Sequence, residues 1–184
     1  MGKTTVARMF LSQKIPVYNS DNAVHGLLAI GGAGVNEVGK AFPGVVKDGA
    51  VDRQALGKLV FGDLQELQRL ENILHPLVRE RQSEFLRAAA IQRRRLVVLD
   101  VPLLFETGGD LICQAVAVVS APFHLQRLRV LSRPGMTPEK FDRILENQMS
   151  DSEKRRQADF VIPTGLGKRL SLISIRKIIK FVLN

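Results

Sequence analysis

The chain of 184 residues has no tryptophan, one tyrosine, one cysteine and three histidines. Its lone thiol, Cys113, excludes an internal disulfide and fits a reducing compartment; in an apolar run before a strand-like segment, it reads as buried filler. The histidines (His25, His75, His124) and Cys113 show no metal-ligand spacing, which excludes a structural zinc site. No apolar run is long enough to span a bilayer and no signal peptide is evident, so a cytoplasmic protein is expected. Aromatic residues do not interleave with the basic ones, leaving no stacking platform for single-stranded nucleic acid. Acidic residues are in deficit: 18 Asp plus Glu face 27 Lys plus Arg, a formal charge of +9. Such an excess suits an anionic partner, whether nucleic acid, a membrane surface or a polyphosphate, and by itself does not choose among them. Part of it lies in Arg93-Arg94-Arg95, which reads as a solvated helix end, and part in Lys154-Arg155-Arg156.

What is present is an alternation. Four short, nearly continuous apolar runs at 16–18, 96–99, 115–119 and 160–162 read as strands covered on both faces. Helical patterns at 4–13, 22–29, 65–94, 122–132, 138–148 and 171–183 separate or flank them. Alternation of this kind predicts an α/β fold with a parallel sheet flanked by helices. Ligands in such sheets sit beyond the carboxyl ends of the strands, which places Asp21, Asp100, Pro102 and Ser120 on one rim with Lys3. Between residues 30 and 92 there is no good strand candidate, only a turn at Gly31-Gly32-Ala33-Gly34 and helical patterns. The segment from 123 to 156 is helical, rich in Arg and broken once at Pro134-Gly135. The expected division is a nucleotide-binding core (1–30, 95–122 and 157–184), a helical substrate-binding insertion (31–94) and a mobile lid (123–156). Lids exclude water and bring Arg to a transferring phosphoryl group.

The first residues carry chemistry. Gly2, Lys3 and Thr4 fit the last three positions of the phosphate-binding loop G-x-x-x-x-G-K-[ST], and Thr5 follows. In that loop backbone N–H groups wrap the phosphates, the Lys reaches the β/γ-phosphates and the hydroxyl holds Mg²⁺. A helix follows directly, and its positive N-terminal dipole adds to an anion site. The plain alternative for Lys3 is a solvated helix start.

Further stretches in order along the chain resemble the dephospho-CoA kinase family, P-loop kinases that complete coenzyme A synthesis. Gly2-Lys3-Thr4-Thr5 matches the end of the family's loop. Val17-Tyr18-Asn19-Ser20-Asp21 resembles its strand ending in Asp-x-Asp. Val51-Asp52-Arg53-Gln54-Ala55-Leu56 with Val60-Phe61, and Ile73-Leu74-His75-Pro76-Leu77-Val78, resemble its L-D-R and H-P-x-V segments. Val101-Pro102-Leu103-Leu104-Phe105-Glu106 is the most distinctive match; Gln126-x-x-Arg129-x-x-x-Arg133 resembles the lid, and Ala158-Asp159-Phe160-Val161-Ile162 the last core strand. Together they cover nearly the whole chain. Two positions depart from the pattern: Asn19 stands for the first Asp of the pair, and Pro163-Thr164-Gly165 replaces a polar Asn-containing turn. The family also has a strand and a leading glycine before the G-K-T, so this chain is expected to be poorly stable and weakly active beside an upstream-extended one.

The resemblance implies transfer of the ATP γ-phosphoryl group to the ribose 3′-hydroxyl of dephospho-CoA, with Mg²⁺. It implies Lys3 on the phosphates, Gly2, Thr4 and Thr5 around them, and Asp21 as the carboxylate that accepts or orients the hydroxyl proton. An N-cap is the structural alternative for Asp21. Thr4 and Asp100 are the candidate Mg²⁺ ligands, a structural role being equally open for Asp100. Arg129 and Arg133, four apart on one expected helix face, would reach the phosphates, followed by Arg155 or Arg156; a solvated basic face is the alternative. Arg53 and Arg79 would bind the substrate's diphosphate. His75 would contact the substrate or else be a buried, hydrogen-bonded residue at a helix break. A monomer is expected, without membrane or nucleic-acid partners. The rivals are another small-molecule or nucleotide P-loop kinase and an inactive, basic nucleic-acid-binding relic.

Overall fold

The computed structural model describes residues 2–146 and 148–184. Met1, just before the loop match, and Asn147, within the helix expected over 138–148, lie outside the described residues. The elements run α1 (Lys3–Ser12), β1 (Val17–Asn19), α2 (Ser20–Leu28), α3 (Val35–Ala41), β2 (Val46–Lys47) and β3 (Ala50–Val51). There follow α4 (Arg53–Val60), α5 (Leu64–Ile91), β4 (Val98–Asp100), β5 (Ala117–Ser120), α6 (Phe123–Leu131) and α7 (Pro138–Glu146). α8 (Asp151–Gln157), β6 (Phe160–Pro163) and α9 (Lys168–Leu183) complete the chain. It divides into two compact units, residues 2–17 with Asp100–Asn184, and Tyr18–Leu99.

In the first unit β5 and β6 pair in parallel, Val118 opposite Val161 and Ser120 opposite Pro163. Below the pair the Asp159 carboxylate accepts from the Val116 backbone N–H at 2.7 Å, continuing the ladder with a side chain. Ile162 is completely buried. Ala117 and Val161 are nevertheless exposed, which corrects the expectation of strands covered on both faces. α1 buries Val6 and Phe10, four apart on one face. α9, packed on α1 and β6, buries Ser171 and Ile175 at the same spacing. The Ser171 hydroxyl donates to the Pro163 carbonyl at 2.7 Å, satisfying a buried polar group at the strand end.

The second unit is mostly helical, with a core of Leu28, Val35, Val38, Phe42, Val45, Val51, Leu56 and Leu74. Three side-chain caps start its helices: Asn19 for α2, Asp52 for α4 and Asp63 for α5. The 30–92 stretch is not wholly helical as expected, for β2 and β3 form an antiparallel hairpin. Its turn is Asp48-Gly49, both at positive φ (50° and 77°). This mirror-image two-residue turn matches the twist of the flanking strands, and Asp-Gly is among its preferred pairs. α5 runs unbroken through Pro76, as the helical pattern over 65–94 predicts, and so leaves no helix break beside His75. Pro76 is exposed, so water can serve the carbonyl that the ring leaves without its helical donor. Just beyond, the Tyr18 hydroxyl donates to the Val78 carbonyl at 3.0 Å, and the Tyr18 and Phe85 rings meet at 5.6 Å. Burial pushes the Tyr18 phenol up, and the positive charge of Arg81 opposes it. β1 pairs with β4, and the division between units passes through both strands. No helix of the described residues is long and apolar enough to cross a membrane.

Candidate active site

The first turn of α1 carries the loop residues. Gly2, with φ 97°, caps the helix, and Thr4 and Thr5 stand exposed on its first turn. Lys3 extends its ammonium to Asp100, the last residue of β4, at 2.9 Å. The Asp100 side chain is only 4% exposed, and a carboxylate that deep needs a cation or several donors. Lys3 is therefore held in an ion pair rather than simply solvated. The candidate phosphate lysine and the candidate metal carboxylate are brought together.

A second constellation gathers where β5, β6 and α6 end or begin. Both the backbone N–H and the hydroxyl of Thr164 donate to the Ser120 carbonyl, at 2.8 and 3.1 Å. Arg129 of α6 reaches this turn, with Nη2 donating to the Thr164 carbonyl at 2.9 Å and Nη1 to its hydroxyl at 3.4 Å. A Cβ on Gly2 would lie 3.5 Å from the Thr164 side chain, so the turn abuts the start of α1. Arg133 does not share the face of Arg129 as expected, because α6 ends at Leu131. Pro134 disfavours helical backbone at the residue before it, and Gly135 turns the chain at φ 75°. Arg133 is exposed beyond the helix end.

The segment read as a two-helix lid holds three helices, and its last is fastened. Glu106 accepts from the Lys154 ammonium at 2.8 Å, both side chains largely buried, and from the Met149 backbone N–H at 2.9 Å. Burial raises the Glu106 carboxyl, but the Lys154 bond and charge and the backbone donors outweigh it and hold it below the usual range. The Ser120 hydroxyl donates to the Asp151 carboxylate at 2.7 Å, at the first turn of α8. Ser150 and Glu153 close a capping box there. Arg155 and Arg156 lie exposed on α8. Cys113, expected to be buried, is half-buried, with Sγ 3.5 Å from the Gly109 carbonyl; partial burial, with the Asp110 charge, raises its thiol.

In the second unit the N-cap of α2 is Asn19, whose side chain accepts from the Asn22 N–H at 2.8 Å, and not Asp21. Asn caps as well as Asp, so the departure from Asp-x-Asp leaves the cap intact. Asp21 sits exposed in the first turn, relieved of the capping role. Arg53 opens α4 with Nη1 3.0 Å from Nδ1 of His25. A guanidinium only donates, so Nδ1 of His25 is the acceptor in this contact. His75 and Arg79 are exposed and four apart on α5, which removes the buried reading of His75. Sequence reasoning gave no role to Glu106, Thr164 or His25. The signals were present: an acid closing the V-P-L-L-F-E run, a hydroxyl just past a strand, and a histidine one turn after Asp21.

Comparison with known proteins gives these residues a family. Residues 1–166 match the model of CoaE, dephospho-CoA kinase. The dephospho-CoA kinase of Paramagnetospirillum magneticum is 56% identical over 155 residues, covering 84% of this chain and 73% of that protein. The one from Agrobacterium fabrum is 47% identical over 180 residues, covering 98% and 92%. The crystal structure of TT1252 from Thermus thermophilus superposes with a TM-score of 0.82 at 32% identity, over 100% of this chain and 92% of that one. Dephospho-CoA kinase from Campylobacter jejuni shares the fold, with a TM-score of 0.67 at 23% identity over 98% and 91%. The chain is an α/β protein with parallel strands and belongs to the dephospho-CoA kinase family, whose reaction is the last step of coenzyme A synthesis.

Proposed function

We propose that the chain transfers the γ-phosphoryl group of ATP to the ribose 3′-hydroxyl of dephospho-CoA through Lys3, Asp21 and Arg129. The observation that carries this reading is the Lys3–Asp100 ion pair at the start of α1. It holds a cation where helix N–H groups and dipole already favour an anion. Lys3 exchanges part of this pairing for the β/γ-phosphates, with Gly2 and the hydroxyls of Thr4 and Thr5 about them. Asp21 accepts or orients the 3′-hydroxyl proton. Arg129, and Arg133 after movement of the chain beyond α6, add positive charge to the transferring group. Arg53, His75 and Arg79 take the acceptor, Arg53 and Arg79 on its diphosphate.

The residues fit a magnesium–nucleotide complex. The donors are oxygens, the Thr4 hydroxyl and the Asp100 carboxylate, and no group of three or more His, Cys, Asp or Glu among the described residues forms a cage. Mg²⁺ characteristically keeps several waters and takes one or two protein oxygens beside substrate phosphates. When bound, it would be held by Thr4 and Asp100 and would supply neutralisation of the nucleotide's phosphate charge. We assign the architecture as a P-loop kinase sheet, with 31–94 as the acceptor-binding insertion and 123–156 as the lid, in a cytoplasmic monomer.

The test is ATP-dependent phosphorylation of dephospho-CoA run beside nucleoside and nucleotide acceptors. Turnover confined to dephospho-CoA and reduced about 10²–10⁴-fold by Asp21→Asn supports the reading. Turnover of a nucleotide acceptor with none on dephospho-CoA would reject it.

A further inference from the structure

We propose that Thr164 is a positioning residue for phosphoryl transfer, fixing the Arg129 guanidinium beside the start of α1; this rests on the reading of Arg129 as a nucleotide-contacting residue. An arginine side chain has much rotamer freedom to lose, and a guanidinium that must be placed at each turnover loses part of its effect. Here that placement is made beforehand. Thr164 is pinned to the Ser120 carbonyl by its backbone N–H at 2.8 Å and its hydroxyl at 3.1 Å, so neither its carbonyl nor its hydroxyl is free to swing. Both then accept from Arg129, at 2.9 and 3.4 Å. The relay has one direction: guanidinium to hydroxyl to carbonyl, each bond polarising the next. Arg129 has five N–H donors in a planar fork. The two committed to Thr164 set the plane, and the remainder are available for an anion. The Thr164 side chain lies at van der Waals distance from a Cβ on Gly2, which puts the seat of Arg129 next to the helix start that carries Lys3. The Pro163-Thr164-Gly165 turn, where the sequence departs from its family, thus supplies an arginine seat built from the hydroxyl and carbonyl of Thr164, anchored on the Ser120 carbonyl of β5.

The experiment compares Thr164→Val, Thr164→Ser, Arg129→Ala and the Thr164→Val/Arg129→Ala pair, with kcat and KM measured separately for ATP and dephospho-CoA. Valine keeps the shape and removes the hydroxyl, and serine keeps the hydroxyl. Loss of one hydrogen bond to a charged group predicts about a tenfold fall in kcat/KM for ATP in Thr164→Val, with KM for dephospho-CoA unchanged. Thr164→Ser is expected within about twofold of the parent, and the valine change adds nothing once Arg129 is alanine. Thr164→Val without effect on the ATP parameters, or losses that multiply in the pair, would overturn the inference while leaving the Arg129 reading standing. Full activity in Arg129→Ala would remove that reading, and the Thr164 inference with it. If Thr164→Val does not fold, Thr164→Ala is read by the same criteria.

Discussion

Nζ of Lys3 lies 2.9 Å from Oδ1 of Asp100, so the first turn of α1 is tied to the last residue of β4 by a pair whose two charged ends are both buried and of which only the lysine stem reaches solvent. The asymmetry predicts unequal variants. Lys3→Met removes the cation from a carboxylate that stays buried, and should cost roughly 1–3 kcal/mol of stability. Asp100→Asn leaves an amide oxygen able to accept from the ammonium, and the partly exposed lysine stem allows Nζ to move to water, so its loss should be smaller. Both should abolish most phosphoryl transfer. Urea unfolding of the two variants beside the parent separates them, and a Lys3→Met protein as stable as the parent would contradict the account.

Glu106 fastens α8 through Lys154 and the α7–α8 connection through the Met149 N–H. Its carboxyl titrates below the usual range in the folded protein. A depressed folded value means a contribution to stability that is complete above the ordinary glutamate range, about pH 4.3, and lost as pH falls through the lower folded value. Glu106→Gln should therefore melt at lower temperature than the parent at pH 7, and the gap should narrow below about pH 4. A gap constant from pH 7 to pH 3 would count against the clamp.

Asp52 is set well below its usual range, at about 2, first by the hydrogen bond from Lys47 and then by the Ala55 backbone N–H. Its pairing with Lys47 at 2.7 Å joins the hairpin to the N-cap of α4. Stability from this cap is present above the ordinary Asp value near 3.9 and disappears as pH falls toward the folded one. NMR titration of the Asp52 carboxyl should give a midpoint near 2 in the parent, moving up in Lys47→Ala. An unmoved midpoint would assign the shift to the backbone donors alone.

Much of this was legible because it is local. Periodicity placed α1, α2, α5, α6, α7 and α9, whereas α3, α4 and α8 were given no bounds of their own, and β1, β4, β5 and β6 fell within one or two residues of the expected 16–18, 96–99, 115–119 and 160–162. The Asp48-Gly49 hairpin was legible too and was passed over, since two-residue strands leave no alternating run to notice. α5 was legible as the helical pattern over 65–94 even though it crosses Pro76, where a proline taken alone argues for a break. The site divides similarly. As candidates, Lys3 and Thr4 come from motif spacing and Asp21 from the family resemblance, whereas the pairings Lys3–Asp100, Arg129–Thr164 and Glu106–Lys154 join residues 97, 35 and 48 positions apart. No periodicity reports such distances.

The turn that seats Arg129 leaves no room at Gly165. A Cβ there would lie 2.7 Å from Cδ of Pro122 and 3.4 Å from Cδ1 of Leu125. The leucine can yield, but the proline ring at the start of α6 cannot, so either the turn or the helix must shift. Overpacking of this kind costs about 1–3 kcal/mol. A shift of either element also moves Thr164 relative to Arg129, so Gly165→Ala should lose ATP-dependent turnover beyond its loss of stability. Gly57, inside α4, is the control, because a Cβ there would meet nothing within 4 Å. Alanine at that position should stabilise by about 0.4–1 kcal/mol by restricting the unfolded chain. Melting temperature and kcat for both variants decide the matter. Equal behaviour of Gly165→Ala and Gly57→Ala would mean that the turn after β6 has more freedom than its contacts with Pro122 allow.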